Sequence, residues 1–326
     1  MKQQPFPFVR DGILQDRMMI FSGNSNIKFA KEICKKLEIS LGSADVSTFS
    51  DGEISVDIKQ NVRGQDIFIV QTTSNPCNHH LMEIVLMADA FRRSSAGRIT
   101  AVIPYYGYSR QDRRPRSARV PISAKVIADI LASSGVHRIL TMDLHADQIQ
   151  GFFNIPVDNI YASKIFLDHI INQNFKNAIL VSPDVGGVVR TRAIAKSIGW
   201  DIAIIDKRRN RPNEVEAINL IGDVNGRECV IVDDIVDTAG TLCNAAEMLK
   251  KRGATQVWSY CTHAVLSGDS IEIVEKSNLD GLVVSDTVFL PNNRNSSKIH
   301  QLSVAEIFAE AIKRINTDQS VSSLFE

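Results

Sequence analysis

Residues 228–241 read ECVIVDDIVDTAGT. The apolar run 229–232 meets two adjacent carboxylates, Asp233 and Asp234. Two apolar residues later come Asp237, Thr238, Ala239, Gly240 and Thr241. Leu242, Ala245, Ala246 and Leu249 then recur at the spacing of an amphipathic helix. The stretch is therefore a strand, an acidic loop of small residues and a helix start. A helix start offers backbone N–H groups without intrahelical partners and the positive end of the helix dipole, which together suit a phosphate. Paired carboxylates at the loop entrance suit sugar hydroxyls or a cation. The plainer alternative is a strand-to-helix turn in which an Asp caps the helix.

The same alternation extends in both directions. Apolar runs at 18–21, 67–70, 100–104, 138–142, 178–181, 201–205, 256–261 and 281–285 read as strands. Helical periodicity follows at 27–37, 81–93, from Pro121 to Gly135, at 242–252 and at 304–315. In the third of these helices Ile122, Val126, Ile127, Ile130 and Leu131 are expected to share one buried side. Strand–helix alternation predicts an α/β fold of mainly parallel sheets with helices on both faces. The 326 residues suffice for about two domains, expected at 1–156 and 157–326, with the last helix packing on the first. An internal echo supports two related domains. Strand 67–70, a polar loop, a helix, Gly97 and strand 100–106 match, in order, strand 230–232, the DTAGT loop, a helix, Gly253 and strand 256–262. The first-half loop, TTSNPCNHH, has neither the paired acids nor the glycine.

Composition excludes several classes. Lys+Arg and Asp+Glu are equal at 37 each, so net charge gives no reason to expect a nucleic-acid or anionic-membrane partner. No apolar run is long enough to span a bilayer, and the start, MKQQPFPFVRDG, has no signal-peptide core. The five cysteines are scattered without metal spacing and fit reduced thiols in a cytoplasmic protein. There is no Walker loop, kinase motif set or nucleophile elbow, so any phosphoryl chemistry uses another scaffold.

Candidate chemical groups cluster at predicted strand ends, where α/β folds gather ligands. Lys207, Arg208, Arg209 and Arg211 form a basic run after strand 201–205, either a solvated face or a phosphate contact. In extended chain Lys207 and Arg209 point the same way. Residues 109–119 (SRQDRRPRSAR) carry five arginines and no apolar period, which reads as a mobile surface loop. Without interleaved aromatics it fits a polyphosphate better than a nucleic acid, with Arg110 and Gln111 at its root. His145, between Asp143 and Asp147, is either a satisfied polar side chain or a contact to a metal–polyphosphate. Asp184 is either a helix cap or a Mg²⁺ carboxylate, since magnesium takes one or two protein carboxylates and fills its shell with phosphates and water. Phe49, Asp51 and Glu53 lie in one turn, which either holds a base by stacking and hydrogen bonding or is a hairpin with a buried Phe.

VDDIVDTAGT after a strand looks like the phosphoribosyl-diphosphate loop of type I phosphoribosyltransferase-like folds. Four further segments, FSDGEI (49–54), YYGYSRQDRR (105–114), MDLHADQIQGFF (142–153) and DKRR (206–209), narrow the likeness. In this order they resemble the ribose-phosphate diphosphokinases, or phosphoribosyl-diphosphate synthetases, of the class I bacterial type, from about residue 18 to the end. The resemblance implies two phosphoribosyltransferase-like domains and Mg²⁺-dependent transfer of the diphosphoryl group of ATP to the 1-hydroxyl of ribose 5-phosphate. It implies that Asp233, Asp234, Asp237, Thr238, Ala239, Gly240 and Thr241 hold ribose 5-phosphate and that His145 and Asp184 serve Mg²⁺–ATP. Arg110 and Gln111 would contact ATP, Phe49, Asp51 and Glu53 would reach adenine across a subunit contact, and Lys207 and Arg209 would be catalytic. A homohexamer regulated by phosphate and ADP is also implied.

The sequence departs from the family pattern at Thr48, usually basic, at His79-His80, usually an acid-rich loop, at Asn210, commonly proline, and in about ten extra N-terminal residues. Two other functions share parts of this pattern. A phosphoribosyltransferase would use the 233–241 loop but has no need of Lys207, Arg209, His145 and the arginine loop. A non-catalytic regulatory subunit tends to lose catalytic-loop residues, which are all present here.

Overall fold

Short apolar runs bounded by polar loops become the strands of two sheets in the computed structural model, which describes residues 17–208, 217–291 and 296–324. The chain divides into two compact units. The first holds β1 (Met18–Ser22), α1 (Ile27–Lys36), β2 (Ala44–Thr48), β3 (Ile54–Ile58), β4 (Asp66–Val70), α2 (Cys77–Arg93), β5 (Arg98–Ile103), α3 (Ser123–Ser134), β6 (Arg138–Met142) and β7 (Val157–Ile160). Its main sheet has the order β1-β4-β5-β6-β7, parallel throughout. Every residue of β4 is buried, and only the first residue of β5 and of β6 is not. Strands covered on both faces need unbroken apolar runs of this kind rather than alternation. β2 and β3 form a separate antiparallel hairpin. β7 pairs with β6, so residues 157–160 complete the first sheet, and the division falls four residues later than the sequence suggests.

The second unit holds Asp143–His145 and Tyr161–Val304. It contains α4 (Ser163–Asn172), β8 (Ala178–Ser182), α5 (Val188–Ile198), β9 (Ile202–Arg208), β10 (Ala217–Ile221), β11 (Glu228–Val236), α6 (Gly240–Lys251), β12 (Gln256–Ala264), α7 (Ser270–Lys276), β13 (Gly281–Ser285) and β14 (Ile299–Leu302). The sheet order is β10-β9-β8-β11-β12-β13-β14, parallel except for β10 against β9. Leu242, Ala245, Ala246 and Leu249 are the buried face of α6, as their spacing predicts. α8 (Ala305–Asn316) belongs with the first unit and packs on α1, with the Phe29 and Phe308 rings edge to face at 5.4 Å. Each of these fully buried rings contributes about 1.5–3 kcal/mol from burial. The exposed Lys36–Glu306 pair on the same contact adds little.

In α3 the expected single apolar side divides in two. Ile127 and Leu131 are buried with Ala124 and Ala128, whereas Ile122, Val126 and Ile130 are exposed. Residues four apart follow one stripe, and the 122–126–130 stripe lies about 100° around the axis from the 127–131 stripe. The core selects the stripe that carries the small alanines, so the helix packs closely.

Candidate active site

The order of the second sheet creates a crevice. From β8 the chain passes to β9 on one side and then returns to β11 on the other. Connections that leave neighbouring strand ends in opposite directions open a gap at their carboxyl ends, where α/β folds bind ligands. The first sheet runs in simple order and has no such reversal. The internal echo therefore covers the strand–helix–strand pattern but not the site.

The 233–241 loop lines this gap. β11 continues to Val236, Ala239 adopts φ +61°, and α6 begins at Gly240. The N-cap residue of α6, Ala239, makes no side-chain cap bond, in contrast to α1, where Asn26 accepts from the Phe29 amide at 3.2 Å. A methyl group built on Gly240 would meet nothing within 4 Å. Helix-start amides beside open space, flanked by the exposed Thr238 and Thr241, suit a phosphate.

The two neighbouring acids have different surroundings. Asp234 is buried, and both its oxygens are engaged: Oδ2 lies 2.7 Å from His145 Nδ1 and Oδ1 accepts from Arg190 Nη1 at 3.2 Å. Burial alone would raise its pKa, but the His145 hydrogen bond and the Arg190 charge outweigh it and hold the carboxyl well below the usual carboxylate range. Asp233 is raised well above that range, first by burial and then by the charge of Asp234. Its Oδ1 accepts from the Asp234 amide at 2.9 Å. Burial works against the charge on Arg190, but Asp234, Asp143 and Asp233 together keep its pKa raised.

His145 is thus oriented as well as present. Against an ionised carboxylate its Nδ1 carries the proton and donates, which fixes the tautomer of the neutral ring. Metal- or phosphate-contacting histidines are commonly held this way by a carboxylate on the second ring nitrogen. Asp184, exposed just beyond β8, accepts from the Gly187 amide at 2.8 Å through Oδ1. It is therefore a cap, and its other oxygen is available as a cation ligand. Among the described residues no three His, Cys, Asp or Glu side chains converge as a metal cage. One carboxylate oxygen and one oriented imidazole fit a magnesium ion that takes the rest of its shell from phosphates and water.

The remaining predicted residues occupy separate elements. Phe49, Asp51 and Glu53 form the tight β2–β3 turn. The Phe49 amide donates to the Glu53 carbonyl at 2.7 Å, and the Glu53 amide donates to Asp51 Oδ1 at 3.1 Å. The turn is a hairpin, but Phe49 is 58% exposed, so the reading with a buried Phe is corrected. Arg110 and Gln111 lie in the β5–α3 connection of the first unit. Gln111 is tied down: its amide donates to the Tyr108 carbonyl at 3.0 Å, and Ser123 Oγ donates to its Oε1 at 2.6 Å. Asp112 accepts from Gln148 at 2.9 Å, so the loop has anchors the sequence did not suggest. Lys207 is the penultimate residue of β9, and Arg209 lies outside the described residues.

Gly107 sets the start of this loop. Its amide donates to Thr73 Oγ1 at 2.6 Å, and an added Cβ would lie 2.5 Å from the Thr73 carbonyl oxygen. Gly107→Ala is expected to cost about 1–3 kcal/mol of stability through overpacking. A urea titration with unchanged m-value would show it, and an unshifted midpoint would refute the tight joint.

Sequence reading missed Arg190 and Asp143. A usable signal existed for the first: an arginine in the opening turn of a helix opposes the helix dipole and needs a local anion to hold it. Asp143 had none, because its role depends on partners more than a hundred positions away.

A family model described as the N-terminal domain of ribose phosphate pyrophosphokinase matches residues 18–135, and a phosphoribosyl synthetase-associated domain model matches 208–326. A ribose-phosphate pyrophosphokinase of Bordetella parapertussis is 60% identical over 94% of this chain and 99% of its own length. One of Chromobacterium violaceum is 56% identical over 95% of each chain. The crystal structure of phosphoribosylpyrophosphate synthetase from Mycobacterium smegmatis superposes with a TM-score of 0.88 at 35% identity, covering 93% of this chain and 99% of that one. The fold is thus that of a two-domain, phosphoribosyltransferase-like α/β enzyme. The chain belongs to the ribose-phosphate pyrophosphokinase family.

Proposed function

We propose that the protein transfers the β,γ-diphosphoryl group of ATP to the 1-hydroxyl of ribose 5-phosphate, giving 5-phosphoribosyl 1-diphosphate and AMP. The observation that carries this reading is the crevice between β8 and β11, where the start of α6 adjoins an oriented His145–Asp234–Arg190 cluster. The 1-hydroxyl oxygen forms a bond to the β-phosphorus and gives up its proton to solvent, as the bond from that phosphorus to the α,β-bridging oxygen breaks and AMP departs with that oxygen. His145 and Asp184 would hold Mg²⁺ with the phosphates, and the ion would supply charge neutralisation. The 5-phosphate docks on the amides and hydroxyls of Asp237, Thr238, Ala239, Gly240 and Thr241.

The two acids divide the work. Asp234 holds His145 and Arg190 in position, and Asp233 accepts from the sugar hydroxyls. Phe49, Asp51 and Glu53 hold adenine, the exposed ring by stacking, and Arg110 and Gln111 meet the ATP phosphates. Lys207 and Arg209 supply cationic charge to the transferring group, because such transfers are catalysed mainly by positioning and electrostatics. By likeness to the family the enzyme works as a homohexamer under control by phosphate and ADP. Its cysteines are all free and none of its described helices is long and apolar enough to cross a membrane. Free thiols fit the reducing cytoplasm.

The test is to incubate the protein with ATP and ribose 5-phosphate in phosphate buffer, with and without Mg²⁺, and to measure AMP. AMP that appears only with both substrates and Mg²⁺ supports the reading. Its absence in the complete mixture overturns it. A phosphoribosyltransferase would instead consume phosphoribosyl diphosphate with a base and would form no AMP from ATP.

A further inference from the structure

Beneath His145 lies a buried polar network that the proposed reaction does not use. Asp143, buried, has a left-handed backbone at φ +41°, a conformation that a non-glycine residue keeps only when its surroundings over-determine it. The surroundings do so at three points. Thr262 Oγ1 donates to Asp143 Oδ2 at 2.6 Å, the Ala162 amide donates to the same oxygen at 3.1 Å, and His263 Nε2 lies 3.2 Å from the Asp143 carbonyl oxygen. A carbonyl only accepts, so Nε2 carries the proton. Nδ1 of the neutral ring then accepts from Thr287 Oγ1 at 3.0 Å. Ser285 Oγ closes the set by donating to the Thr262 carbonyl at 2.6 Å. Thr262, His263, Ser285 and Thr287 are all buried, at the ends of β12 and β13.

We propose that Thr262 and His263 are positioning residues for His145. They fix the Asp143 turn, and the turn sets the two-residue reach that brings His145 Nδ1 onto Asp234. Neither touches substrate. Three hydrogen bonds converge on one residue, and the Thr262 and Ala162 bonds hold its carboxylate through Oδ2. The His263 bond to the carbonyl controls the backbone instead. Supporting groups of this kind are worth about 10–100-fold in activity when removed.

The role attributed to His145 rests on the proposed diphosphoryl transfer, so the experiment uses two separable readouts. In the unmodified enzyme the downfield proton resonance of His145 Nδ1–H, identified by its loss in His145→Ala, reports the contact with Asp234 whatever the reaction is. Thr262→Val removes the hydroxyl at nearly constant volume, and Thr262→Ser restores it. Thr262→Val is expected to broaden or shift that resonance and to lower kcat about tenfold at unchanged KM for ribose 5-phosphate, with recovery in Thr262→Ser. If Thr262→Val does not fold, His263→Leu, which removes the donor to the Asp143 carbonyl together with the acceptor for Thr287 Oγ1, is read in the same way. A resonance and kcat like those of the unmodified enzyme in either folded variant would overturn the proposal. So would a lower melting temperature with full kcat, the result of a purely structural role. If the unmodified protein forms no AMP, the reaction assignment fails while the resonance still decides the positioning.

Discussion

Lys207→Ala is expected to lower kcat by about a thousandfold while ribose 5-phosphate binds as before. Cationic side chains aimed at a transferring phosphoryl group are worth roughly that much or more, because they act on charge that is greatest in the transition state. β9 is parallel to β8 and ends at Arg208, which puts Lys207 at the same carboxyl edge as Asp184 and the 233–241 loop. On the proposed reading the acceptor sugar, in contrast, is held by the loop after β11, a different connection of the same sheet. If Lys207 serves only the donor phosphates, as proposed, its removal leaves the acceptor's affinity intact. Calorimetric titration with ribose 5-phosphate and steady-state AMP formation measure the two effects separately. Loss of sugar binding would assign Lys207 to the acceptor site, and undiminished turnover would remove it from catalysis.

Much of this site could be read from local sequence, and the exceptions share a cause. The 228–241 stretch carried its own evidence, since an apolar run, acids, small residues and a helical period are all near neighbours in the chain. The burial of Leu242, Ala245, Ala246 and Leu249 follows from that period alone. What periodicity cannot supply is which of two adjacent apolar stripes faces the core, and Val126 and Ile130 on α3 show this. It also cannot supply pairing. β7 reads as the start of a second domain until its ladder with β6 is seen. The contact of His145 with Asp234 spans 89 positions and that of Thr262 with Asp143 spans 119. No spacing rule reaches so far.

Pairing also explains why only one half of the internal echo has a ligand crevice. Both halves contain a strand, a helix and a parallel strand in succession, β4–α2–β5 and β11–α6–β12. In the second unit an earlier pair, β8 and β9, lies on the opposite side of β11, and the reversal opens the gap. In the first, β1 continues the series in one direction, and the loop after β4 is consumed by internal bonds: Thr73 Oγ1 donates to the Tyr105 carbonyl at 2.9 Å and accepts from Gly107. A loop that must hold its neighbours has few groups left for a ligand, whereas the loop after β11 exposes Thr238 and Thr241.

The unequal surroundings of Asp233 and Asp234 lead to opposite kinetic signatures for two chemically identical changes. Asp234→Asn is expected to lower kcat about a hundredfold, with a smaller change in KM for ribose 5-phosphate. An amide can accept only through one oxygen, so His145 and Arg190 cannot both keep their bonds. Without the charge of Asp234 beside it, Asp233 ionises more readily and takes over the neutralisation of Arg190, so the fold should survive. Asp233→Asn leaves the His145–Asp234–Arg190 cluster intact and exchanges one carboxyl oxygen for an amide donor, worth about 0.5–1.5 kcal/mol for a neutral hydrogen bond. That corresponds to a rise in KM for ribose 5-phosphate of about 2- to 10-fold at nearly constant kcat. Steady-state kinetics of both variants decide the matter. If the two signatures are exchanged, Asp234 is the sugar ligand and Asp233 the organiser. If both changes raise KM alone, the paired acids act as a single sugar clamp and His145 does not depend on Asp234 for its position.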